Sequence, residues 1–304
     1  MSSLVSPSPS AVAVTKSQRA STNSSIAAAC QCLDSSGKIY DFCYRYNATV
    51  IGKRMSCASL QHLRAFGILE KIEDTKRFTV NKNPPIIMAA SSNHYGELVL
   101  GIGSAQKRWP NISIVFYDLG LNANQMVFNE FPNGFWYADT SLRYHGKIKA
   151  DELYKRLQDQ QMDVSLTLYM NLSTFVVTDG KMYKYLPTDI RRLQSIGDEG
   201  GGHQFWVRTE HSRQTLMWYV LCALEPQCMA PHPGLSLYCR FNKKDVYRSH
   251  AGCHRYDQSA INIILANRHN FNETRYLIMG KGDFYIDFAT TRQRLDAHQP
   301  KKCK

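Results

Sequence analysis

Eight of the nine cysteines fall into two groups of four: Cys30, Cys32, Cys43 and Cys57, then Cys222, Cys228, Cys239 and Cys253, with Cys303 near the end. A long cysteine-free interval separates them. Each group is even-numbered and can close two disulfides locally, an arrangement that belongs to an oxidising compartment. Zinc is the competing reading, but neither group contains the CxxC pair that presents two thiolates to one ion. Free buried thiols are the third alternative.

Asparagine sequons point the same way. Asn23, Asn47, Asn111, Asn171 and Asn272 each begin an N-x-S/T triplet, five of sixteen asparagines, where chance would give about two. Against this, the first thirty residues contain no apolar segment of the length found in a secretory signal. The expectation is a secretory-pathway protein, in the Golgi lumen or secreted, whose signal anchor is missing from this chain. A cytosolic α/β protein with reduced thiols is the alternative.

With 304 residues, 43% hydrophobic and 20% charged, the chain can bury a core and is not disordered as a whole. No apolar run approaches the length of a membrane-spanning helix. The net charge of +12 favours anionic partners. No basic stripe accompanies it, so nucleic acid is not expected.

Residues 1–28, rich in Ser, Ala, Thr and Pro, read as a flexible tail, and 29–83 as a small Cys-rich stem with one helix-like stretch on Leu60, Leu63, Phe66 and Leu69. A main domain covers 84–290, followed by a basic tail over 291–304. Ile86–Ala90 and Ile112–Asp118 are apolar runs of the kind found in strands buried on both faces, and between them Asn93 caps a helix bearing Leu98, Val99, Ile102 and Ala105. Strand, helix, strand is the βαβ unit of a parallel sheet. Further along, Phe135–Ala138, Leu166–Met170, Ser173–Val177 and Gln204–Arg208 read as extended, and residues 197–202 (GDEGGG) as a loop. Glu152–Gln158, His211–Leu224 and Gln258–Asn267 read as helices. In the second, Leu216, Tyr219, Val220 and Ala223 point inward; in the third, Ile261, Ile264 and Leu265 do. A hairpin turns at Gly280–Asp283.

Polar residues directly after parallel strands are the first candidates for ligand contact. They are Ser91 to His94, Asp118, and Asp139 to Arg143. A strand-end aspartate can ligate Mn or Mg, or can simply cap the next turn. The densest polar stretch, Tyr247–Ala260, opens into a helix. There Asp257 is a candidate general base or acceptor-binding carboxylate, with His254 and Arg255 facing phosphates. Alternatively Asp257 or Ser259 is only the helix N-cap. His203, beside the glycine run, reads as incidental. The sequence Gly101-Ile-Gly103-Ser-Ala-Gln106 fails as a dinucleotide fingerprint, because it ends in Gln and lies inside the predicted helix. GxxxxGK[ST], GxSxG and HExxH are absent.

Six segments in order, PIIMAASSNHYGE, IVFYDLGL, FWYADTSLRY, MYKYLP, WYVLCALEPQCMAP and AGCHRYDQSAINIILAN, resemble a family of uncharacterised secretory-pathway domains, expanded in nematodes, that is similar to GT-A glycosyltransferases. The resemblance spans about Cys30 to Phe288. It implies an α/β, GT-A-like, mostly parallel sheet flanked by helices. It also implies transfer of a sugar from a nucleotide sugar to a glycan or protein acceptor. Ser91, Asn93, Asp118, Arg143, His254 and Arg255 would then face the nucleotide sugar, and Asp257 the acceptor. Asp139-Thr140-Ser141 would stand at the metal-binding DxD, with one carboxylate where that motif has two. Only Asn122 to Phe135 lies between YDLGL and the WYAD strand, so the domain is expected to lack a strand–helix segment there. A non-catalytic glycan- or protein-binding protein that keeps the fold is the rival from another class.

Overall fold

Every paired cysteine bonds within its own group. A computed structural model of the chain, describing residues 28–73, 86–90, 102, 111, 114–118, 145–146, 150–166, 169–201, 204–277 and 284–285, has disulfides Cys30–Cys43, Cys32–Cys57, Cys222–Cys228 and Cys239–Cys253. The thiolates a zinc ion would need are consumed. The first two bridges hold strands β1 (Gln31–Leu33) and β2 (Ile39–Asp41), which pair antiparallel. Asp34 closes the turn between them by accepting from the Ser36 and Lys38 amides at 2.8 and 3.0 Å. Helix α1 (Leu60–Ala65) buries Leu60 and Leu63. It stops before Phe66, which was predicted to share that inner face and is instead 63% exposed.

The predicted parallel pair is present. Strand β3 (Ile86–Ala90) runs parallel to β4 (Ile114–Asp118), in register from Ile86 opposite Ile114 to Ala90 opposite Asp118. Ile86, Met88 and Ile114 are buried. The other described pairs are antiparallel: β5 (His145–Gly146) with β8 (Phe284–Tyr285), and β6 (Val164–Leu166) with β7 (Gln204–Trp206). The partner of β8 among the described residues is therefore β5, and the hairpin turn at Gly280–Asp283 lies outside them. Helix α2 (Ala150–Gln160) leads into β6. The stretch from Ser173 to Val177, read as extended, folds into a 3-10 turn over Thr174–Val177. Its hydroxyls impose the tighter path: Ser173 Oγ donates to the Tyr247 carbonyl at 2.6 Å and Thr178 Oγ1 to that of Thr174 at 2.7 Å.

Four helices complete the described chain: α3 (Ile190–Leu193), α4 (Glu210–Leu224), α5 (Pro226–Met229) and α6 (Tyr256–Arg268). Asp189 caps α3, and Thr209 with Ser212 forms a capping box on α4. Helix α4 packs Leu216, Tyr219 and Val220 against the core, as predicted, each of them partly buried. Its buried residues are Ser212, Thr215, Leu221 and Cys222, while Ala223 is exposed. The Cys222–Cys228 bridge ties the last turn of α4 to α5. No described helix is long and apolar enough to cross a membrane.

The Cys-rich segment, read from sequence as a stem, is part of the main core. Cys32, Phe42, Tyr44, Met55 and Leu63 join one buried cluster with Met182, Leu186, Leu221, Ile263 and Ile264. Tyr44 meets Trp218 edge-on at 5.3 Å between ring centroids. Gly52 permits the closest approach: a Cβ there would collide with the Tyr185 backbone carbonyl and stand 3.0 Å from Pro187 Cδ. The neighbouring Lys53 amide donates to the Lys184 carbonyl at 2.7 Å. Because the obstacle is backbone, Gly52→Ala is expected to lose about 1–3 kcal/mol through overpacking. Chemical denaturation would show it as a lower midpoint, and an unchanged midpoint would mean that the two segments are not seated on each other.

Candidate functional site

Loops normally run over the surface because their backbone groups need water. The segment from Ile196 to Gly201 does not: every one of its residues is buried. Its backbone is satisfied from four sides. The Asp198 amide donates to the Leu172 carbonyl at 2.6 Å, and the Asp198 carbonyl accepts from the Met170 amide at 2.9 Å. Asn262, in the middle of α6, grips the next peptide from both ends: its Oδ1 accepts from the Glu199 amide at 3.0 Å and its Nδ2 donates to the Glu199 carbonyl at 2.7 Å. Glu273 accepts from the Gly197 amide at 2.5 Å. A Cβ on Gly197 would lie 2.5 Å from the Tyr169 ring and 2.9 Å from Glu273 Oε1, so only glycine fits against both.

The side chains carried by this loop are acidic. Asp198 is fully buried and accepts from Thr174 Oγ1 at 2.8 Å and from the Gln258 amide group. Burial pushes its carboxyl up to about 7, against the opposing effect of those two bonds and of the Arg255 charge. Glu199 is more extreme. Neither of its carboxyl oxygens has a hydrogen-bond partner among the described residues. Burial first, then the Asp198 and Glu273 charges, push it up to about 10, so it is a neutral acid at physiological pH. The Tyr276 hydroxyl is likewise buried without a partner there. Burial and the same three acids raise it as well. Buried acids with raised pKa values clustered on one loop are the arrangement expected of a candidate functional site.

The sequence-predicted site residues fall differently. Ser91, Asn93, Asp139 and Arg143 lie outside the described residues, and so does His203. Asp118 ends β4 opposite Ala90, at the carboxyl end of the parallel pair. Asp257 is exposed in the first turn of α6, where Arg255 is the N-cap residue. Neither Asp257 nor Ser259 caps that helix; the Ser259 hydroxyl donates to the Val177 carbonyl at 3.3 Å. His254 cannot face a phosphate. It is fully buried, its Nδ1 accepts from the Asp179 amide at 3.1 Å, and its Nε2 therefore carries the proton donated to the Met229 carbonyl at 3.0 Å. Burial lowers its pKa and keeps it neutral. Arg255 contributes charge toward Asp198, not a direct bond.

One histidine–carboxylate trio has metal-like spacing: ligand atoms of Asp163, His211 and His269 lie within 4.8 Å of one another. Its hydrogen bonding shows a different use. His211 Nδ1 meets Asp163 Oδ2 at 2.6 Å, and His211 Nε2 accepts from Arg268 Nε at 3.1 Å. Both ring nitrogens are thus engaged in an Arg–His–Asp chain that ties α4 to α6. Burial raises the Asp163 carboxyl, but the His211 hydrogen bond and charge outweigh it and hold the group below its ordinary value. One carboxylate with two imidazoles is also a poor match for Mn or Mg, which favour oxygen ligands.

The sequence pattern of a family described as Protein of unknown function (DUF1647) matches residues 30–133. That stretch holds the Cys-rich segment, β3 and β4. The chain thus carries a match to a domain of unknown function, and the buried acid loop lies beyond the matched residues. No curated protein and no solved structure matches the chain.

A carboxyl with a raised pKa stabilises the fold below its unfolded value and loses that contribution as pH rises toward its folded value. For Glu199 the window runs from the ordinary 4.5 to about 10, and for Asp198 from 3.8 to about 7. Melting temperature is therefore expected to fall between pH 6 and pH 8.5, and Glu199→Gln, which is neutral throughout, is expected to flatten the slope. Parallel slopes for the two proteins would show that Glu199 is ionised in the fold.

Proposed function

We propose that the chain is a glycosyltransferase-like protein of the secretory pathway, moving a sugar from a nucleotide sugar to a glycan or protein acceptor. The observation that carries the proposal is the buried acid pair on one loop, Asp198 and Glu199, whose carboxyls burial pushes up to about 7 and about 10. In glycosyl transfer the acceptor hydroxyl attacks the anomeric carbon, the bond to the nucleoside diphosphate breaks, and a base takes the hydroxyl proton. An acid near 7, as Asp198 is, is suited to that exchange. The neutral Glu199 carboxyl and the Tyr276 hydroxyl would hold the acceptor oxygen by hydrogen bonds. Both acids are closed from solvent, so the acceptor would enter by displacing the Gly200–Gly201 part of the loop. Asp257, exposed one residue before Gln258, would hold the far side of the acceptor.

On the donor side the supports are the parallel β3–β4 pair and the position of Asp118 at its carboxyl end. Ser91, Asn93 and Arg143 would contact the nucleotide sugar, and Asp139 would carry a divalent Mn or Mg. The four disulfides fit a secreted or luminal protein. One feature favours the non-catalytic alternative, a glycan-binding protein: Leu237 and Tyr238, just before the Cys239–Cys253 loop, and Phe241, inside it, are exposed, Tyr238 to 88%. Arg240 lies between Tyr238 and Phe241, and Lys243 and Lys244 follow. Aromatic faces beside cations suit sugar rings bearing acidic groups.

The test is thermal melting of the protein from a secretory host against UDP, GDP and CMP sugars, with Mn²⁺ or EDTA, alongside Asp139→Asn and Glu199→Gln. A donor at a hundred times its Kd adds about 2.7 kcal/mol to stability. The expected result is a shift with one nucleotide class that EDTA and Asp139→Asn abolish. Glu199→Gln should keep the shift and lose transfer. A cooperative melt that no nucleotide moves, with binding of glycans alone, would replace the transferase reading by the binding one.

A further inference from the structure

Two of the five sequons share a side-chain geometry that the described part of a third lacks. At the hairpin tip after Tyr46, Asn47 Oδ1 accepts from the Thr49 hydroxyl at 3.0 Å and from the Thr49 and Val50 amides at 2.9 and 2.8 Å. After α6, Asn272 Oδ1 accepts from the Thr274 hydroxyl at 2.7 Å and from the Thr274 amide at 3.2 Å. In both, the sequon folds back so that the threonine hydroxyl meets its own asparagine amide. Asn47, Thr49, Asn272 and Thr274 are all exposed. With each Oδ1 turned to its own backbone, the Nδ2 group is the end left for modification.

The Asn272 turn is held firmly. Asn270 and Phe271 take positive φ of 53° and 60°. Arg192 clamps them, donating to Asn270 Oδ1 and to the Asn270 carbonyl, both at 2.6 Å, and lying 4.3 Å over the Phe271 ring. Asn171 contrasts with both. It is exposed, but Ser173 is fully buried and donates to the Tyr247 carbonyl at 2.6 Å, so its hydroxyl is turned away from the asparagine.

We infer that Asn47 and Asn272 are N-glycosylation sites and that Asn171 is not an equivalent one. The donor class is a lipid-linked diphospho-oligosaccharide. Asparagine Nδ2 bonds to its anomeric carbon, the bond from that carbon to the phosphate oxygen breaks, the lipid diphosphate leaves with the electron pair, and Nδ2 gives up one proton. The inference rests on the secretory part of the proposed function and is independent of any transferase activity.

The experiment is glycopeptide mass spectrometry of the full chain exported by a eukaryotic secretory host, with disulfides mapped in the same digest. Glycan is expected at Asn47 and Asn272, at higher occupancy than at Asn171. Thr49→Val and Thr274→Val, which keep side-chain shape, should each remove one glycan and leave the other, whereas Thr49→Ser and Thr274→Ser should keep both. Bare Asn47 or Asn272 in protein whose disulfides have formed would overturn the assignment at that position. Equal occupancy at Asn171 would overturn hydroxyl placement as the discriminating feature. Reduced cysteines throughout would overturn the secretory premise and leave the acid-loop chemistry untouched.

Discussion

Helix α6 is buried from Ser259 through Ala266, and the rest of the structure is arranged around it. Its apolar residues Ile263 and Ile264 complete the core that includes the Cys-rich segment, while Ile261 and Leu265 meet Val164 and Leu166 of β6. A helix closed on all sides can tolerate polar residues only where each finds a partner. Asn262 and Gln258, one turn apart, find theirs in the Glu199 peptide and the Asp198 carboxyl. The acid loop is therefore buried because α6 is buried. Removing the Asn262 side chain would leave an amide and a carbonyl without partners in the interior.

The same helix collects constraints at both ends. At its start, the Arg255 amide donates to the Val177 carbonyl and His254 bridges Asp179 to Met229, so the loop stapled by Cys239–Cys253 is drawn onto the body. At its end, Arg268 and His211 link it to α4, and Arg192 locks the reversed turn that presents Asn272. The disulfides lie outside this central helix. They close short loops, from six to twenty-five residues apart, and so restrict the unfolded chain locally.

Periodicity and buried runs made much of the fold legible. Ile86–Ala90, the strand through Asp118, and the helices at α2, α4 and α6 follow from residue pattern, and the two cysteine groups pair locally as their spacing suggests. The failures share a cause. Ser173–Val177 looks extended by its β-branched and aromatic residues, but the hydroxyls of Ser173 and Thr178 find backbone carbonyls that local pattern does not reveal. The inward face of α4 extends beyond its apolar residues, because Ser212 and Thr215 are buried through hydrogen bonds and not through apolarity. His254 looked like a ligand-facing histidine in a polar run, and tertiary structure gives both its nitrogens to backbone. The GDEGGG run reads correctly as a loop, but nothing in its composition shows that Gly197 to Gly201 are buried. The signal that could have shown this lay elsewhere in the chain: Gln258 and Asn262 at a spacing of four on an otherwise apolar helix imply a polar object packed against that face.

The central claim is that the fold holds Glu199 as a neutral acid beside Asp198, without a hydrogen-bond partner among the described residues. The most direct measurement is the infrared spectrum of the folded protein at pH 7.5, wild type minus Glu199→Gln, in the protonated-carboxyl stretching region. A band lost in the variant, unshifted by solvent ions and persisting to pH 9, is the predicted result. A difference spectrum showing only the loss of an ionised carboxylate would contradict the account, and with it the role assigned to the loop.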